Sequence, residues 1–472
     1  TPTGELNIVT AAGVAAVDTV TVTLGGGAPT HVSAGASIQA AIDAANRGDL
    51  IILDEGTYNE LVVMWKPVRL QGVGAGSVLI NAAKYPSIKL EHWRPRINQL
   101  FAIDSTTGNQ TGVAQVDPLP TQEITGGVVL LEPTVLGTEE GAGITVLAKN
   151  LRQNQCARGA TSSIGRPVTE SNFRCAASRI DGISVTGGDA GGGIYVNGWA
   201  HGLEIANNRV YGNAGAFHGG VRVGVPYLQL TALPTRGNSG RIRGLGYDEN
   251  VKIHHNSITR NGTVEGPAGN GGAGGGIALC AGTDNYLVDH NFVCGNYSSS
   301  HGGGIGHLGF SQGGVISNNQ ILFNQSFQQT ASTHGGGIAI LGEPPIAGTV
   351  SLGSGDVTID SNLIRGNFAE SGQGGGIRLQ QVNGADVALS QDADRWHSVT
   401  VTNNMIVNNV AGWAGGGIAM ADTLNARIVN NTVSSNDSVG IAGVVLAGNV
   451  ALPAETPGTP GVGYPSPAGV AS

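Results

Sequence analysis

Charged and aromatic side chains are scarce in this chain of 472 residues: Asp, Glu, Lys and Arg make up 12% of it, and Phe, Trp and Tyr make up 5%. With 40% hydrophobic residues and so little charge, the composition is that of a folded protein, not of a solvated, disordered polymer. The 24 basic residues are outnumbered by 33 acidic ones, which removes the positive surface expected of a nucleic-acid-binding protein. No apolar run approaches the roughly 18 residues of a membrane-spanning helix, so we expect no membrane span in this segment.

Cysteine is also rare, with four residues at positions 156, 175, 280 and 294, none at the C-x-x-C spacing of a zinc or redox site. Cys156 and Cys175 bracket a loop-like stretch rich in Arg, Ser and Gly, so a disulfide between them in an oxidising compartment is the first expectation. Free buried thiols are the alternative, and the spacing does not decide the pairing. The chain starts at Thr1 without an initiator Met or a signal peptide. We interpret it as a processed piece of a longer exported protein, located outside the cell or at its surface.

Glycine is abundant instead, with 78 residues and no G-X-Y period, which excludes collagen. Seven segments also share one pattern: apolar, x, apolar, two residues, Asn, x, Ile or Val, two residues, Asn. The first Asn column is Asn208, Asn256, Asn291, Asn319, Asn362, Asn404 and Asn431, and the second is Asn213, Asn261, Asn296, Asn324, Asn367, Asn409 and Asn436. We expect both columns to be structural ladders, because Asn amides satisfy turn backbone and Asn tolerates left-handed turn geometry.

Glycine runs followed by Ile precede most of these segments, as in GGGIAL around Ile277 and GGGIGH around Ile305. The shortest complete cycles, from Ile277 to Ile305 and from Asn291 to Asn319, are both 28 residues long. Each contains short alternating apolar runs bounded by Gly or Asn, which predict strands and turns. A strand that returns after 28 residues can pair in parallel with its own predecessor, about 4.8 Å away, and stacked coils of this kind form a solenoid.

One short helix is predicted near the start of the chain, over residues 37–45, with Ser37 as its N-cap. Such a helix laid across the first coil covers the open end of the solenoid. Residues 1–29 are either the last strands of a preceding β-sandwich module or a strand lying along the solenoid. The predicted organisation has five parts: 1–29 as this N-terminal segment, 30–82 as capping helix and first coils, 83–179 as coils with long insertions, 180–450 as regular Asn/Gly coils, and 451–472 as a flexible tail.

The run SIQAAIDAANRGDLIILDEGTYNELVVMWKPVRLQGVG and the Asn-x-Ile repeats are similar to right-handed parallel β-helix proteins of the pectate-lyase-like superfamily. The resemblance covers roughly residues 33–82 and 180–445. It implies an all-β fold, a single right-handed parallel β-helix solenoid with an N-terminal capping helix and loop insertions, and polysaccharide as the partner.

The catalytic signatures of that superfamily are largely missing. No NTD, DD, GHG or RIK motif of the polygalacturonase-like members occurs. The segment around Asp289 and His290 resembles the DH-containing strand of pectate lyases, but their acidic calcium-binding cluster and Arg-x-Pro-x-x-Arg run are absent from the sequence. No catalytic residue is therefore carried over, and calcium stays a candidate cofactor.

Insertions beyond the 28-residue cycle flank the Gly-Ile strand, at residues 224–248, 262–272, 325–333, 341–356 and 380–398. A strand walled by loops on both sides forms a groove, and function concentrates in such loops. By alternation, the residue after each inward Ile points outward and forms the groove floor: Tyr195, Arg222, Ala278, Gly306, Ala339, Arg378 and Ala419. This floor suits an extended glycan, and packing against another protein is the alternative.

A polar cluster is predicted beside the groove floor. His301 and His334 each stand four residues before the inward Ile of consecutive coils, and Gln373 holds the same position in the next coil. With Glu370 and Arg378 they form a candidate catalytic cluster for elimination or hydrolysis, or a loose metal site. The alternative is a polar turn ladder without catalysis. The substrate-binding candidates are Tyr195, Arg222, His218, Gln373 and Trp413.

Two functions from different classes follow from these observations. The first is an extracellular β-helix that binds polysaccharide in the groove and cleaves it as a lyase or hydrolase. The second is a non-catalytic structural or adhesive module of a large cell-surface protein, which the small residues of the floor and the missing catalytic signatures favour.

Overall fold

The computed structural model describes residues 3–6, 19–24, 27–85, 88–120, 122, 136, 139–157, 159–225, 244–263, 274–328, 332–343, 352–382, 396–439 and 467–472. The chain divides into two compact units. Unit 1 comprises Thr1–Gly215, Val223–Leu228 and Gly246–Ile258, and unit 2 comprises Ala216–Arg222, Gln229–Leu245 and Thr259–Ser472.

Unit 1 is built from short strands that pair in parallel. Its first sheet contains Thr30–Val32, Leu50–Leu53, Arg69–Gly72, Arg179–Asp181, Glu204–Ala206 and Lys252–His254. Its second sheet contains Gly56–Tyr58, Val78–Asn81, Ser184–Thr186 and Arg209–Tyr211. Its third sheet contains Val62–Met64, Ile144–Val146 and Ile194–Val196. Ala214–Gly215 is a further short strand outside these three sheets. Two further strands, Val221–Val223 and Ser257–Thr259, include residues of both units.

Unit 2 repeats the same order of strands with greater regularity. Its first sheet contains Leu287–Asp289, Gly314–Ser317, Val357–Asp360, Val399–Thr402 and Ala426–Val429. Its second contains Phe292–Cys294, Gln320–Leu322, Leu363–Arg365, Met405–Val407 and Thr432–Ser434. Its third contains Ile277–Leu279, Ile305–Leu308, Ile338–Leu341, Ile377–Gln380, Ile418–Ala421 and Val470–Ala471. Its fourth contains Gly262–Thr263, Tyr297–Ser298, Gln325–Ser326, Phe368–Ala369, Val410–Ala411 and Asp437–Ser438.

The predicted parallel β-helix is confirmed by these pairings. Ile277 lies opposite Ile305, one 28-residue cycle later, and Ile305 lies opposite Ile338. The inward Ile and Val residues of neighbouring coils stack in columns that are fully removed from solvent, including Ile277, Ile305, Ile338, Ile377 and Ile418 in the third sheet and Val293, Ile321, Ile364 and Ile406 in the second. Burial of these columns supplies the hydrophobic stabilisation of each coil.

Both Asn columns form the predicted ladders. In unit 2 the backbone N–H and the side-chain Nδ2 of Asn319 both donate to Oδ1 of Asn362, at 2.9 and 3.0 Å. The same Nδ2 donates to the carbonyl of Val288 at 2.9 Å. Each amide thus satisfies backbone groups of its own and of the adjacent coils, which is what a buried polar group requires.

The left-handed turn residue is one position earlier than expected. Positive φ values occur at Asn318, Ser361 and Asn403, each immediately before a first-column Asn. The ladder Asn itself has its side chain directed into the solenoid, so the preceding residue makes the turn. His255 and His290, which immediately precede Asn256 and Asn291, hold this turn position with φ of 54° and 51°.

The predicted capping helix is present as α1, Ile38–Ala44, with the Ser37 side chain accepting a hydrogen bond from the N–H of Ala40. Ile38 and Ile42 are buried, and the helix contacts the first strands of unit 1: Thr30–Val32, Leu50–Leu53 and Val62–Met64. At its C-terminal end the buried Lys66 donates to the carbonyls of Asp43 and Ala45, at 3.1 and 2.8 Å. A cation at this position donates to carbonyls that have no partner within the helix, and it interacts favourably with the negative end of the helix dipole.

A second helix, α2, spans Ile88–Leu100 within the region where the sequence predicted coils with insertions. Short 3-10 helices follow at Val168–Ser171 and Phe173–Cys175, and Cys156 and Cys175 form the expected disulfide. The apolar run at residues 128–131 in the same region lies outside the described residues. No helix within the described ranges is long and apolar enough to cross a membrane.

The N-terminal segment contains the strand Thr3–Leu6, antiparallel to Val20–Thr23. Thr21 donates from its backbone N–H and from its hydroxyl to the buried carboxylate of Asp181 in the first sheet. Val20–Thr23 therefore lies against the first sheet of unit 1.

The last rung of unit 2 is more exposed than the rungs before it. Ile428 and Val433 retain accessible surface, whereas the equivalent Val401 and Ile406 of the preceding coil have none. Asn431 and Asn436, at the ends of the two Asn ladders, are likewise only half-buried.

Candidate functional site

Glycine runs precede the third-sheet strands of unit 2. A side chain at each of three positions in such a run would clash with a neighbouring atom. Gly335 has φ of +68°, and a Cβ atom there would lie 2.8 Å from Cβ of Ala339. At Gly336 a Cβ would lie 2.5 Å from the backbone nitrogen of Phe368 in the fourth sheet, and at Gly337 it would lie 2.6 Å from a carbonyl of the next coil. Only glycine fits positions where the backbone approaches this closely.

These turns also cover the predicted groove floor. The outward residues Tyr195, Arg222, Ala278, Ala339, Arg378 and Ala419 have at most 1% of their surface exposed. At Ala339 and Ala419 the cause is visible, because the left-handed glycine four residues earlier folds back onto the alanine. Alternation along a strand gives the direction of a side chain but not what covers it. The central parts of the predicted groove walls, at 226–243, 264–273, 329–331, 344–351 and 383–395, lie outside the described residues.

The structure brings four of the predicted site residues together in unit 2: His301, His334, Gln373 and Arg378. The rings of His301 and His334 are stacked. Nδ1 of His301 accepts the backbone N–H of His334, and Nδ1 of His334 accepts the backbone N–H of Gln373, both at 3.0 Å. Because Nδ1 acts as an acceptor, each neutral ring carries its proton on Nε2.

The electrostatic environment holds both imidazoles neutral. Burial, assisted by the charge of Arg378, lowers the pKa of His301 to about 4. Burial, Arg378 and His301 together hold the pKa of His334 well below the ordinary histidine value. At neutral pH these rings are hydrogen-bonding groups of a turn ladder without charge.

Arg378 is fully buried and its guanidinium is directed by two glutamines. Nη1 donates to Oε1 of Gln373, and Nε donates to Oε1 of Gln380 at 3.2 Å. Gln373 therefore continues the histidine column through its backbone and positions the arginine through its side chain.

The other predicted residues have separate environments. The carboxylate of Glu370 is half-buried and accepts a hydrogen bond from Gln325. In unit 1 the buried Tyr195 donates its hydroxyl to Asn197. His218 and Arg222 of unit 2 are fully buried, and Trp413 is nearly so, with its backbone N–H bonded to the carbonyl of Gly372 at 2.9 Å.

One buried polar network of unit 2 was missed from the sequence. Tyr286 Oη lies 2.9 Å from Nδ1 of His307, whose Nε2 lies 2.9 and 3.0 Å from the carbonyls of Gly309 and Ser354. Burial lowers the pKa of His307 to about 4, although the two carbonyl contacts oppose the shift. His307 stands two residues after the inward Ile305, so strand alternation already placed it inside the solenoid.

A second buried ionisable group was also missed. Burial raises the pKa of the Glu343 carboxyl to about 7, against a hydrogen bond from the backbone of Phe310 that lowers it. Within the described part of the chain, no group of three or more His, Cys, Asp or Glu side chains is placed to hold a metal ion.

Comparisons of the chain with protein-family models, with curated proteins and with solved structures gave no match. The fold is a parallel β-helix. A parallel β-helix by itself does not specify an activity.

Proposed function

We propose that this chain is a non-catalytic structural or adhesive β-helix module, with polysaccharide as its partner. The hydrogen bonding of the His301, His334 and Gln373 column supports the first part of the proposal. Nδ1 of each imidazole is already used by a backbone N–H of the next coil, and both rings are neutral. A general base needs a free acceptor and a pKa near the working pH, and this ladder uses the acceptor for folding.

An exported location is supported by the disulfide between Cys156 and Cys175, because such bonds persist in oxidising compartments. Polysaccharide as the partner is supported by the resemblance of the N-terminal run and the Asn-x-Ile repeats to the pectate-lyase-like superfamily.

The test compares the wild-type protein with a His301→Gln/His334→Gln double variant. Glutamine is the natural occupant of the next position in the column, so the variant retains a side-chain acceptor. Both proteins are incubated between pH 5 and pH 9 with neutral and uronate-containing polysaccharides, with and without calcium. We expect no new reducing ends and no unsaturated products from either. Cleavage by the wild type that the double variant lacks would overturn the proposal.

A polysaccharide lyase or glycoside hydrolase is the second candidate, and one observation favours it. The charge of Arg378 acts on both imidazoles, so a cation and two neutral nitrogen bases are close together. Elimination from a uronate needs a base for the C5 proton and a cation that neutralises the carboxylate. In this candidate Nδ1 of His334 gives up the N–H of Gln373 and takes the C5 proton, the C4–O bond breaks with its oxygen protonated by water, and Arg378 faces the carboxylate. An Arg378→Lys variant that loses uronate cleavage without losing its fold would support it.

A further inference from the structure

A cleft of about 510 Å³ lies in unit 1, beside α2, and has both polar and apolar lining. Its walls are the C-terminal half of α2, the hairpin that follows the helix, and Ser163 from the disulfide-closed loop. None of these segments was expected to contribute to a binding site from the sequence. The volume falls within the range of roughly 300–1,000 Å³ that small-molecule sites occupy.

The walls of this cleft are fixed by backbone hydrogen bonds. Thr111 donates its N–H to the carbonyl of Ala102 at 2.8 Å, and Ile103 bridges to Gln110, which closes the hairpin. Ser163 donates its N–H to the carbonyl of Val113 at 2.8 Å. The loop that carries Ser163 is closed by the disulfide from residue 156 to residue 175. A cleft held this way needs little ordering when a ligand binds.

The polar lining combines amides, hydroxyls and one neutralised ion pair. Nε and NH2 of Arg94 both donate to Oε2 of the buried Glu140, at 2.9 and 2.6 Å. The positive charge at the cleft is therefore already matched. The remaining polar lining consists of Asn98, Gln99, Ser105, Thr111 and Ser163. Amides and hydroxyls can both donate and accept, as the hydroxyl groups of a sugar also do.

Apolar groups complete the lining. Pro95, Ala102 and Ile103 border the same space and offer carbon surface to the C–H face of a ring. A balanced ion pair, several groups that both donate and accept, and the apolar surface of Pro95, Ala102 and Ile103 match a neutral polyol, which has hydroxyl groups and a C–H face, better than an anion or a purely apolar ligand. The limited volume suits one or two sugar rings, not a polymer lying lengthwise.

We propose that this cleft binds the terminal neutral sugar of a saccharide, as a mono- or disaccharide unit. The inference rests on the proposed function in one respect, since it names the part of a polysaccharide that the module recognises. It places recognition at α2 and the hairpin after it, in unit 1.

Titration calorimetry of the whole protein with glucose, galactose, mannose, lactose and cellobiose tests the proposal, with glucuronate and galacturonate as charged comparators. At least one neutral sugar should bind saturably with a millimolar or lower Kd, and more tightly than either uronate. Gln99→Ala and Ser163→Ala should each weaken that binding by about fivefold, the value of one hydrogen bond. Gln320→Ala removes an exposed glutamine from the second sheet of unit 2 and should leave the binding unchanged.

Three results would overturn the inference: no saturable binding of any neutral sugar, tighter binding of a uronate, or binding unaffected by both Gln99→Ala and Ser163→Ala. Melting curves of the variants show whether a loss of binding reflects a loss of fold. The proposed function fails separately, because it is contradicted by polysaccharide cleavage that the His301→Gln/His334→Gln variant lacks. Binding at the cleft can be absent while the chain remains non-catalytic.

Discussion

The rings of His301 and His334 lie parallel, with centroids 5.2 Å apart and 4° between their planes, and the backbone N–H of His334 donates to Nδ1 of His301 at 3.0 Å. This contact joins two consecutive coils at the entrance of the third sheet. Two residues that resemble catalytic bases in the sequence therefore serve as hydrogen-bond acceptors for the backbone of the turns. Protonation of either ring at Nδ1 would break the bond and place a charge near Arg378.

The first prediction concerns acid stability. The pKa values of His301 and His307 are about 4 in the folded protein and about 6.5 in an unfolded chain. The unfolded state therefore takes up protons first as the pH falls, so the stability these residues provide is complete above pH 6.5 and is lost progressively down to pH 4. For the fully buried His307 the loss at pH 5 is about 2 kcal/mol.

Denaturant unfolding at pH 7 and pH 5 measures this effect. The His301→Gln/His334→Gln variant should show a smaller decrease than the wild type, because it lacks two of the titrating groups. An equal change in unfolding free energy between the two pH values for wild type and variant would contradict the prediction, because the opposite contribution of Glu343, whose pKa is raised to about 7, is common to both proteins.

The second prediction concerns the glycine runs. Gly417→Ala would place a Cβ 2.5 Å from the carbonyl oxygen of Gly469 and 3.0 Å from Nδ2 of Asn436, so we expect a loss of roughly 2 kcal/mol or more. Gly469 holds the equivalent position one rung later, and a Cβ there meets no atom within 4 Å. Gly469→Ala is thus a matched control that should be nearly neutral. Similar melting temperatures for the two variants would disagree with this account.

The third prediction concerns the Asn ladders. Asn362→Ala removes an amide that accepts two hydrogen bonds from Asn319 and donates to Asn404 and to the carbonyl of Ile316. Buried groups left without partners cost about 1–3 kcal/mol each, so we expect a loss of several kcal/mol in unfolding free energy. Asn431→Ala at the half-buried end of the same ladder should cost less than half as much. Chemical denaturation of both variants provides the comparison.

The fourth prediction concerns the disulfide. A Cys156→Ser/Cys175→Ser variant should lose about 3 kcal/mol of stability, because the bond closes a loop of 19 residues. It should also weaken sugar binding at the cleft, since Ser163 lies in that loop. Cys294→Ser, which removes a half-buried reduced thiol, serves as the control and should change neither property. Sugar binding that persists unchanged in the double variant would show that the disulfide-closed loop is not needed to hold the cleft in its binding geometry.

The repeat made much of the fold predictable. Positions 28 residues apart must superpose when strands pair in parallel, so Asn291 and Asn319, which recur at that interval, could be placed in one ladder from the sequence. The Ser37 cap and the 156–175 disulfide followed from equally local signals. Regular spacing makes non-local contacts visible in a sequence, and this is why the coils were predicted well.

The features that were missed depend on contacts that do not recur at a regular interval in the sequence. Helix α2 contains Pro95 in its middle, which argues against a helix on local grounds, although buried residues such as Trp93 and Ile97 hold it in place. The burial of Ala339 depends on a turn that folds over it, and strand alternation carries no information about turns. The cleft beside α2 combines three segments of the insertion, so no motif marks it.

The last rung of unit 2 is half-exposed and should unfold before the rest of the unit. It consists of Ala426–Val429, Thr432–Ser434 and Asp437–Ser438. Within the described part of the chain its strands pair with a neighbouring coil on one side only, so they lose the fewest contacts when they detach. Unfolding should therefore proceed one coil at a time, from this rung toward Leu363–Arg365. Amide hydrogen exchange in the second sheet should become slower from each coil to the next one inward.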